Sequence, residues 1–216
     1  MREFKRSMCA VAGAVLALAG AAQANLLTNP GFEVPPAVGV EYFGAPGWSD
    51  FGGGTFTTTS AIVTPNSGDQ SLKMFGNPSG VFQTFPASPG ELWNGGVWML
   101  NAGIDPINPG QIAAVNIEWL KADSSPSAII PFISNGTFNA GGAAPVDQWT
   151  LLTITGAAPA DAAFARLTLI TGAFAPGEGP GGGAVWFDDA FFEVIPSPGT
   201  MAIFGLGGIA ALRRRR

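Results

Sequence analysis

An antiparallel, all-β sandwich or barrel is what this chain of 216 residues encodes, and three observations point there. Glycine and proline supply 31 and 18 residues, 49 in all, about twice their usual share of ~12%, so the chain turns often. Between the turns, short runs rich in threonine and β-branched residues recur at intervals of roughly 8–15 residues. No stretch of the body shows the 3.6-residue apolar period of an amphipathic helix. Helical bundles, coiled coils and doubly wound α/β folds are thereby excluded. With 47% apolar residues, one domain can bury a sizeable core.

The strands follow in order. Thr55–Thr64 is rich in Thr and β-branched residues, which suit a pleated, half-buried surface. Gln70–Phe75 and Val81–Phe85 flank the turn residues Gly76, Asn77, Pro78, Ser79 and Gly80. Leu92–Leu100 contains Val97, Trp98, Met99 and Leu100. In Gln111–Lys121, Val115, Ile117 and Trp119 share one face while Asn116 and Glu118 share the other, as a period of two requires. Ala128–Ile133 is a short apolar run. Gln148–Thr155 and Ala163–Thr171 alternate threonine with apolar residues, and Ala184–Val194 ends the set. No repeat of fixed length and no internal linker interrupts this body, so it reads as one domain spanning residues 25–195.

Both ends read as addresses. Arg2, Lys5 and Arg6, the apolar stretch from Met8 to Ala19, and Ala22-Gln23-Ala24 form the three parts of a secretory signal peptide covering residues 1–24. At the other end, Pro196-Ser197-Pro198-Gly199 precedes the apolar segment Met201–Leu212 and the four arginines Arg213–Arg216. A short hydrophobic helix stopped by arginines stalls in a membrane with its charges on the cytoplasmic side, so transient anchoring in the inner membrane is expected.

Composition removes much chemistry. Histidine is absent, and the one cysteine, Cys9, lies in the segment expected to be cleaved. Ser-His-Asp and Cys-His nucleophiles, His/Cys zinc sites, CxxC redox pairs and disulfides are therefore excluded. Between Asn25 and Ile195 only Lys73, Lys121 and Arg166 are basic, against 14 acids, a net charge of −11. Such a body is a poor partner for nucleic acid, whose binding relies on Lys and Arg neutralising phosphate. The loop Gly172–Gly183 holds six glycines, but no Lys-Ser/Thr follows to cradle a phosphate; it reads as a surface loop. Asn135-Gly136-Thr137 matches a glycosylation sequon.

Two resemblances extend this reading. Val194-Ile195-Pro196-Ser197-Pro198-Gly199 with the apolar segment and Arg tail resembles the PEP-CTERM sorting signal, with Ser197 departing from the expected Glu. It implies that residues 196–216 are recognised by an exosortase-type processing enzyme and that the body is delivered to the cell surface or extracellular matrix. Asn25–Glu33, Ser67–Lys73, Val81–Phe85, Pro89-Gly90 and Val185–Asp189, taken in order, resemble the jelly-roll carbohydrate-binding modules. That implies a two-sheet antiparallel β-sandwich whose opening and closing segments lie together, and an extracellular polysaccharide as partner.

The resemblance also implies a structural calcium ion near that junction. Calcium takes oxygen ligands only and needs no His or Cys. Glu33 and Asp188 are the ligands expected on this basis, with carbonyls near Gly31 and the segment Asp69–Lys73 beside them. The other reading has Glu33 capping local turns and Asp188 accepting backbone N–H bonds. Asp188 and Asp189, adjacent in a strand, are expected to face opposite sides, which disfavours a glycosidase pair on one cleft. Among the aromatic residues, Trp98, Trp119, Trp149 and Trp186 read as buried. Tyr42, Trp48 and Trp93 fall in Gly/Pro-rich context and are the candidates for exposed rings that stack on a sugar. The sequence favours a non-catalytic, carbohydrate-binding surface protein, and leaves open a structural or adhesive protein without a sugar site.

Overall fold

The computed structural model describes residues 24–36, 39–76, 78–108, 110–139, 145–173 and 182–196. Asn25–Val194 forms one compact unit. The signal peptide, Cys9, the sorting segment beyond Pro196, most of the Gly172–Gly183 loop and the side chain of the sequon's Asn135 lie outside the described residues. Within them there is no helix, and none long and apolar enough to cross a membrane.

Eleven strands are described: β1 (Glu41–Phe43), β2 (Ser49–Phe51), β3 (Thr55–Thr59), β4 (Gln70–Met74), β5 (Ser79–Pro86), β6 (Leu92–Leu100), β7 (Gln111–Leu120), β8 (Phe132–Asn139), β9 (Thr150–Ala157), β10 (Phe164–Ala173) and β11 (Val185–Ile195). They form a six-stranded sheet, β1-β3-β4-β11-β6-β9, and a five-stranded sheet, β2-β5-β10-β7-β8; the ladders β1–β3, β3–β4, β4–β11 and β6–β9 of the first and all four of the second are antiparallel. The fold is thus the two-sheet sandwich that the turn-rich composition implies. Several elements differ from the sequence reading: β5 begins at Ser79, inside the expected turn, and β1 and β2 have no counterpart in it. Residues 60–64 leave the sheet after Thr59, because loop residues Val63 and Ile62 pack on the outside of the six-stranded sheet. The apolar run Ala128–Ile133 is mostly loop, with Ile129 and Ile130 exposed, and β8 begins at Phe132. The three-residue strands β1 and β2 are too short to show a period.

The core fills the space between the sheets, as in other aligned sandwiches. Leu72, Met74, Trp93, Val97, Met99, Phe187 and Phe192 come from one sheet, and Val81, Val115, Ile117, Trp119, Leu167 and Leu169 from the other. Along β11 the inward positions are Val185 and Phe187, then Ala190 and Phe192. The phase slips by one residue at Asp188-Asp189, where Asp189 takes a left-handed backbone (φ 46°). One extra residue of this kind is a β-bulge, which bends a strand and re-aims its side chains.

The bulge decides how the chain's opening segment meets its closing strand. β11 pairs with β4 only through Val185–Phe187. Beyond the bulge, the Leu26 N–H donates to the Phe192 carbonyl (2.9 Å) and the Ala190 N–H to the Pro30 carbonyl (2.9 Å). The Asn25 amide donates to the Ala190 carbonyl and accepts from the Phe192 N–H. The opening segment therefore does lie along β11, but as a bonded coil and not as a strand. Phe32 and Phe187 are both fully buried in the same core.

Candidate functional site

The outer face of the five-stranded sheet carries the clearest concentration of polar and aromatic groups. Its strands alternate, so Val115, Ile117 and Trp119 face the core while Asn116 and Glu118 face outward. Register aligns two rows across four strands. One runs Phe82, Thr168, Asn116, Ser134; the other runs Thr84, Arg166, Glu118, Phe132. Three interstrand spacings of ~4.8 Å make each row roughly 14 Å long. Each row carries one aromatic ring, Phe82 at the β5 end of the first and Phe132 at the β8 end of the second, with polar groups along the rest.

The polar middle is pre-arranged. The Arg166 guanidinium lies 4.3 Å from the centre of the Phe82 ring, donates from Nε to Thr84 Oγ1 (3.0 Å) and pairs through Nη1 with Glu118 Oε2 (3.3 Å). Thr168 Oγ1 donates to Glu118 Oε1 (2.8 Å). Phe51 extends the aromatic end, 6.4 Å from Phe82. Gly80 permits this, because a Cβ there would collide with the Phe51 ring. Beside these rows lies a recess of about 510 Å³ lined by Asn116, Glu118, Ser134, Phe132, Ile112 and Ile170, among others. The Asn116 Oδ1 is buried without a hydrogen-bond partner among the described residues. A buried acceptor left unpaired costs about 1–3 kcal/mol.

The three aromatic residues singled out from sequence lie elsewhere. Trp93 is 1% exposed and packs on Phe192 at 4.7 Å between centroids. Trp48 is 9% exposed, sits 5.5 Å from Phe32 and donates its indole N–H to the Asn29 carbonyl. Both are core, which corrects the expectation of exposed rings. Tyr42 is half-buried and its hydroxyl donates to the Pro35 carbonyl (3.4 Å). Of the tryptophans read as buried, Trp119 and Trp186 are fully so, whereas Trp98 and Trp149 are half-exposed. The residues the sequence reading missed, Phe82, Arg166 and Phe132, carry a signal only once strand parity is combined with register.

The carboxylates do converge. Glu33 Oε1 accepts from the N–H groups of Asp69 and Gln70, both at 3.0 Å. Asp188 Oδ2 accepts from the N–H groups of Asn66 (2.9 Å) and Ser67 (3.1 Å). Asp189 receives Asn66 Nδ2 (2.8 Å) and Ser67 Oγ (2.7 Å). The bulge thus aims both neighbouring aspartates at one loop, correcting the expectation that they face opposite sides. Gly68 belongs here for two reasons: its φ is +62°, and a Cβ would collide with Glu33 Oε1. A Cβ on Gly31 would lie 3.5 Å from Asp189 Oδ1, 3.7 Å from Glu33 Cγ and 3.8 Å from Asp188 Oδ1. Burial, helped by the Asp189 charge and opposed by the backbone N–H donors, pushes the Asp188 carboxyl up to about 7.

Among the described residues, no three acidic side chains converge tightly enough to hold an ion by themselves. A calcium ion would need carbonyl oxygens as well, which is its ordinary coordination. Glu33 and Asp188 are the residues that would hold such an ion; as they stand, their oxygens accept backbone N–H bonds from the 66–70 loop, the arrangement of the alternative reading in which Glu33 caps local turns and Asp188 takes backbone donors.

No family model matches the chain, and no curated protein matches it. Solved structures of similar fold do exist. The carbohydrate-binding module TmCBM61, in complex with β-1,4-galactotriose, is 15% identical, with 79% of this chain and 99% of that one covered and a TM-score of 0.50. The CBM22-1 xylan-binding domain from Paenibacillus barcinonensis is 14% identical over 82% of this chain and 99% of that one, at a TM-score of 0.50. The enzymatically active domain of tailspike protein 4 from bacteriophage CBA120 is 15% identical over 79% of this chain, at 0.51, but the match spans only 21% of the tailspike chain. At these identities the likeness is one of fold alone: a two-sheet antiparallel jelly-roll sandwich.

Proposed function

We propose that this chain is an exported, non-catalytic protein of the cell surface or extracellular matrix that binds a neutral polysaccharide on the outer face of its five-stranded sheet. One observation carries the proposal: the hydrogen-bonded group Arg166, Glu118 and Thr168, with Asn116 beside it, lies between Phe82 on β5 and Phe132 on β8, which stand at opposite ends of two adjoining ~14 Å rows. Sugars bind to flat apolar rings beside directed hydrogen-bond partners. The net charge of −11 on the body favours an uncharged partner over an anionic one. Within the recess Glu118 is the single acidic side chain, and it is ion-paired, whereas glycoside hydrolysis uses two carboxylates.

Affinity electrophoresis of the full chain through gels containing soluble xylan or β-1,4-galactan tests this. Retardation is expected, and Phe82→Ala or Asn116→Ala should reduce the association constant by about tenfold, the equivalent of ~1.4 kcal/mol. Unretarded parent protein would remove the proposal. The apolar lining of the recess, with Ile112, Ala114, Leu120 and Ile170, favours a second reading: an adhesive or structural surface protein with no sugar site. That reading predicts no retardation on any neutral polysaccharide.

Two further parts belong to the same proposal. A structural calcium ion held by Glu33 and Asp188, with Asp189 beside them, would fasten the opening segment and the 66–69 loop to β11. The C-terminal segment would be read by an exosortase-type enzyme after transient anchoring in the inner membrane. Mass spectrometry of the exported protein should then show chains lacking Arg213–Arg216; intact tails on exported material would contradict the sorting step.

A further inference from the structure

We infer a second saccharide site, on the outer face of the six-stranded sheet, built around Trp149 and Asp147. Val63, Leu100, Ala102, Ala184 and Trp186 form a small apolar cluster separate from the main core. Leu100 and Trp186 alternate with the core-facing Met99 and Phe187, so this cluster lies outside the sheet. Its Val63, Leu100 and Ala102 line a recess of about 440 Å³ together with Ile62, Thr64, Ile104, Asp147 and Trp149.

The recess is held ready. The Trp149 indole N–H donates to the Thr64 carbonyl (3.0 Å), which fixes the orientation of the half-exposed ring. Asp147 takes a left-handed backbone (φ 58°), and its N–H donates to the Asn101 carbonyl (2.9 Å). Its Oδ1 accepts from the Gly103 N–H at 2.6 Å. Asp147 lines the recess, and its Oδ2 has no hydrogen-bond partner among the described residues.

These features select a ligand class. A fixed indole offers a flat apolar face, the aliphatic floor accepts C–H groups, and Asp147 accepts from hydroxyls. The volume lies within the range of roughly 300–1,000 Å³ typical of small-ligand sites and suits the end of a chain of sugars better than a long groove would. An anionic ligand is opposed by Asp147 itself and by the surplus of acids on the body. The ligand is therefore the one- or two-unit end of a neutral saccharide. This inference rests on the domain being a glycan binder, yet it uses no residue of the sheet-face groove.

Nitrogen–proton NMR of the full chain, titrated with xylobiose, cellobiose and β-1,4-galactobiose, separates the two sites. Saturable shifts of the Trp149 indole N–H and of the amides of Thr64, Gly103 and Asp147 are expected with at least one disaccharide, in the parent and equally in Phe82→Ala. Trp149→Phe, which keeps a ring on the cluster, should weaken binding by about tenfold, and Asp147→Asn by about threefold. Shifts confined to the sheet-face amides would overturn the inference while leaving the groove in place. Recess shifts that persist unchanged in Trp149→Phe would also overturn it. Recess shifts without groove shifts would uphold it and remove the sheet-face proposal; silence at both sites would end both.

Discussion

Trp93→Ala should cost about 3–5 kcal/mol of stability and lower the melting temperature by roughly 6–20 °C at ~2–4 °C per kcal/mol. Trp93 is 1% exposed, stacks against Phe192 and occupies the core between the sheets. Its removal leaves a cavity that neighbours close only partly. Trp93→Phe should behave differently, costing less than about 1.5 kcal/mol. The indole Nε1 has no partner among the described residues, so the smaller ring also discards a buried donor that was never satisfied. Calorimetry of both variants checks this. An alanine variant that melts like the parent yet loses polysaccharide binding would return Trp93 to the exposed role suggested by its sequence context.

The second large effect concerns pH and calcium. The Asp188 carboxyl is raised from 3.8 to about 7 by burial and by Asp189. Between those values the folded, metal-free protein keeps a proton that the unfolded chain has lost. Stability must then fall as pH rises from about 4 to about 7, by a total on the order of 4 kcal/mol. Above pH 7 the whole cost is present. Calcium binding requires the ionised carboxylates, so the ion should reverse this loss, adding ~2.7 kcal/mol at a hundredfold excess over its dissociation constant. Denaturant melts at pH 5 and pH 8, with chelator and with calcium, measure both terms. Asp188→Asn keeps an acceptor for the Asn66 and Ser67 N–H groups but should flatten the pH slope and abolish the calcium response. A parent protein equally stable at both pH values with chelator would refute the buried-acid account.

Much of the fold could be read in the amino acids because its causes are local. The strand Leu92–Leu100, marked by its closing apolar run, coincides with β6, and Gln111–Lys121, with its clear period of two, differs from β7 by one residue. Parity within β6 already placed Trp93 with Val97 and Met99 and Trp98 on the other face, so the correct burial was available and was outweighed by the neighbouring glycines. The slip at Asp188-Asp189 could not be read, because apolar residues occupy both phases of Ala184–Val194. Pairing between distant strands could not be read either. Phe82, Arg166, Glu118 and Phe132 come from four strands, and only the register of the five-stranded sheet makes them neighbours. That Asp188 would accept backbone N–H bonds and Glu33 would cap turns was one of the two readings open from sequence; that the donors would all come from Asn66–Gln70 depends on distant pairing.

Hydroxyl-radical footprinting of the full chain, with and without saturating soluble xylan or β-1,4-galactan, examines the sheet-face site most directly. Oxidation of Phe51, Phe82 and Phe132 should slow when polysaccharide is present. Phe43 and Phe75, 69% and 38% exposed on the other sheet's side of the sandwich, should oxidise at an unchanged rate. Unaltered oxidation of Phe82 and Phe132 in a sample proven to carry bound polysaccharide would contradict a binding face on the five-stranded sheet.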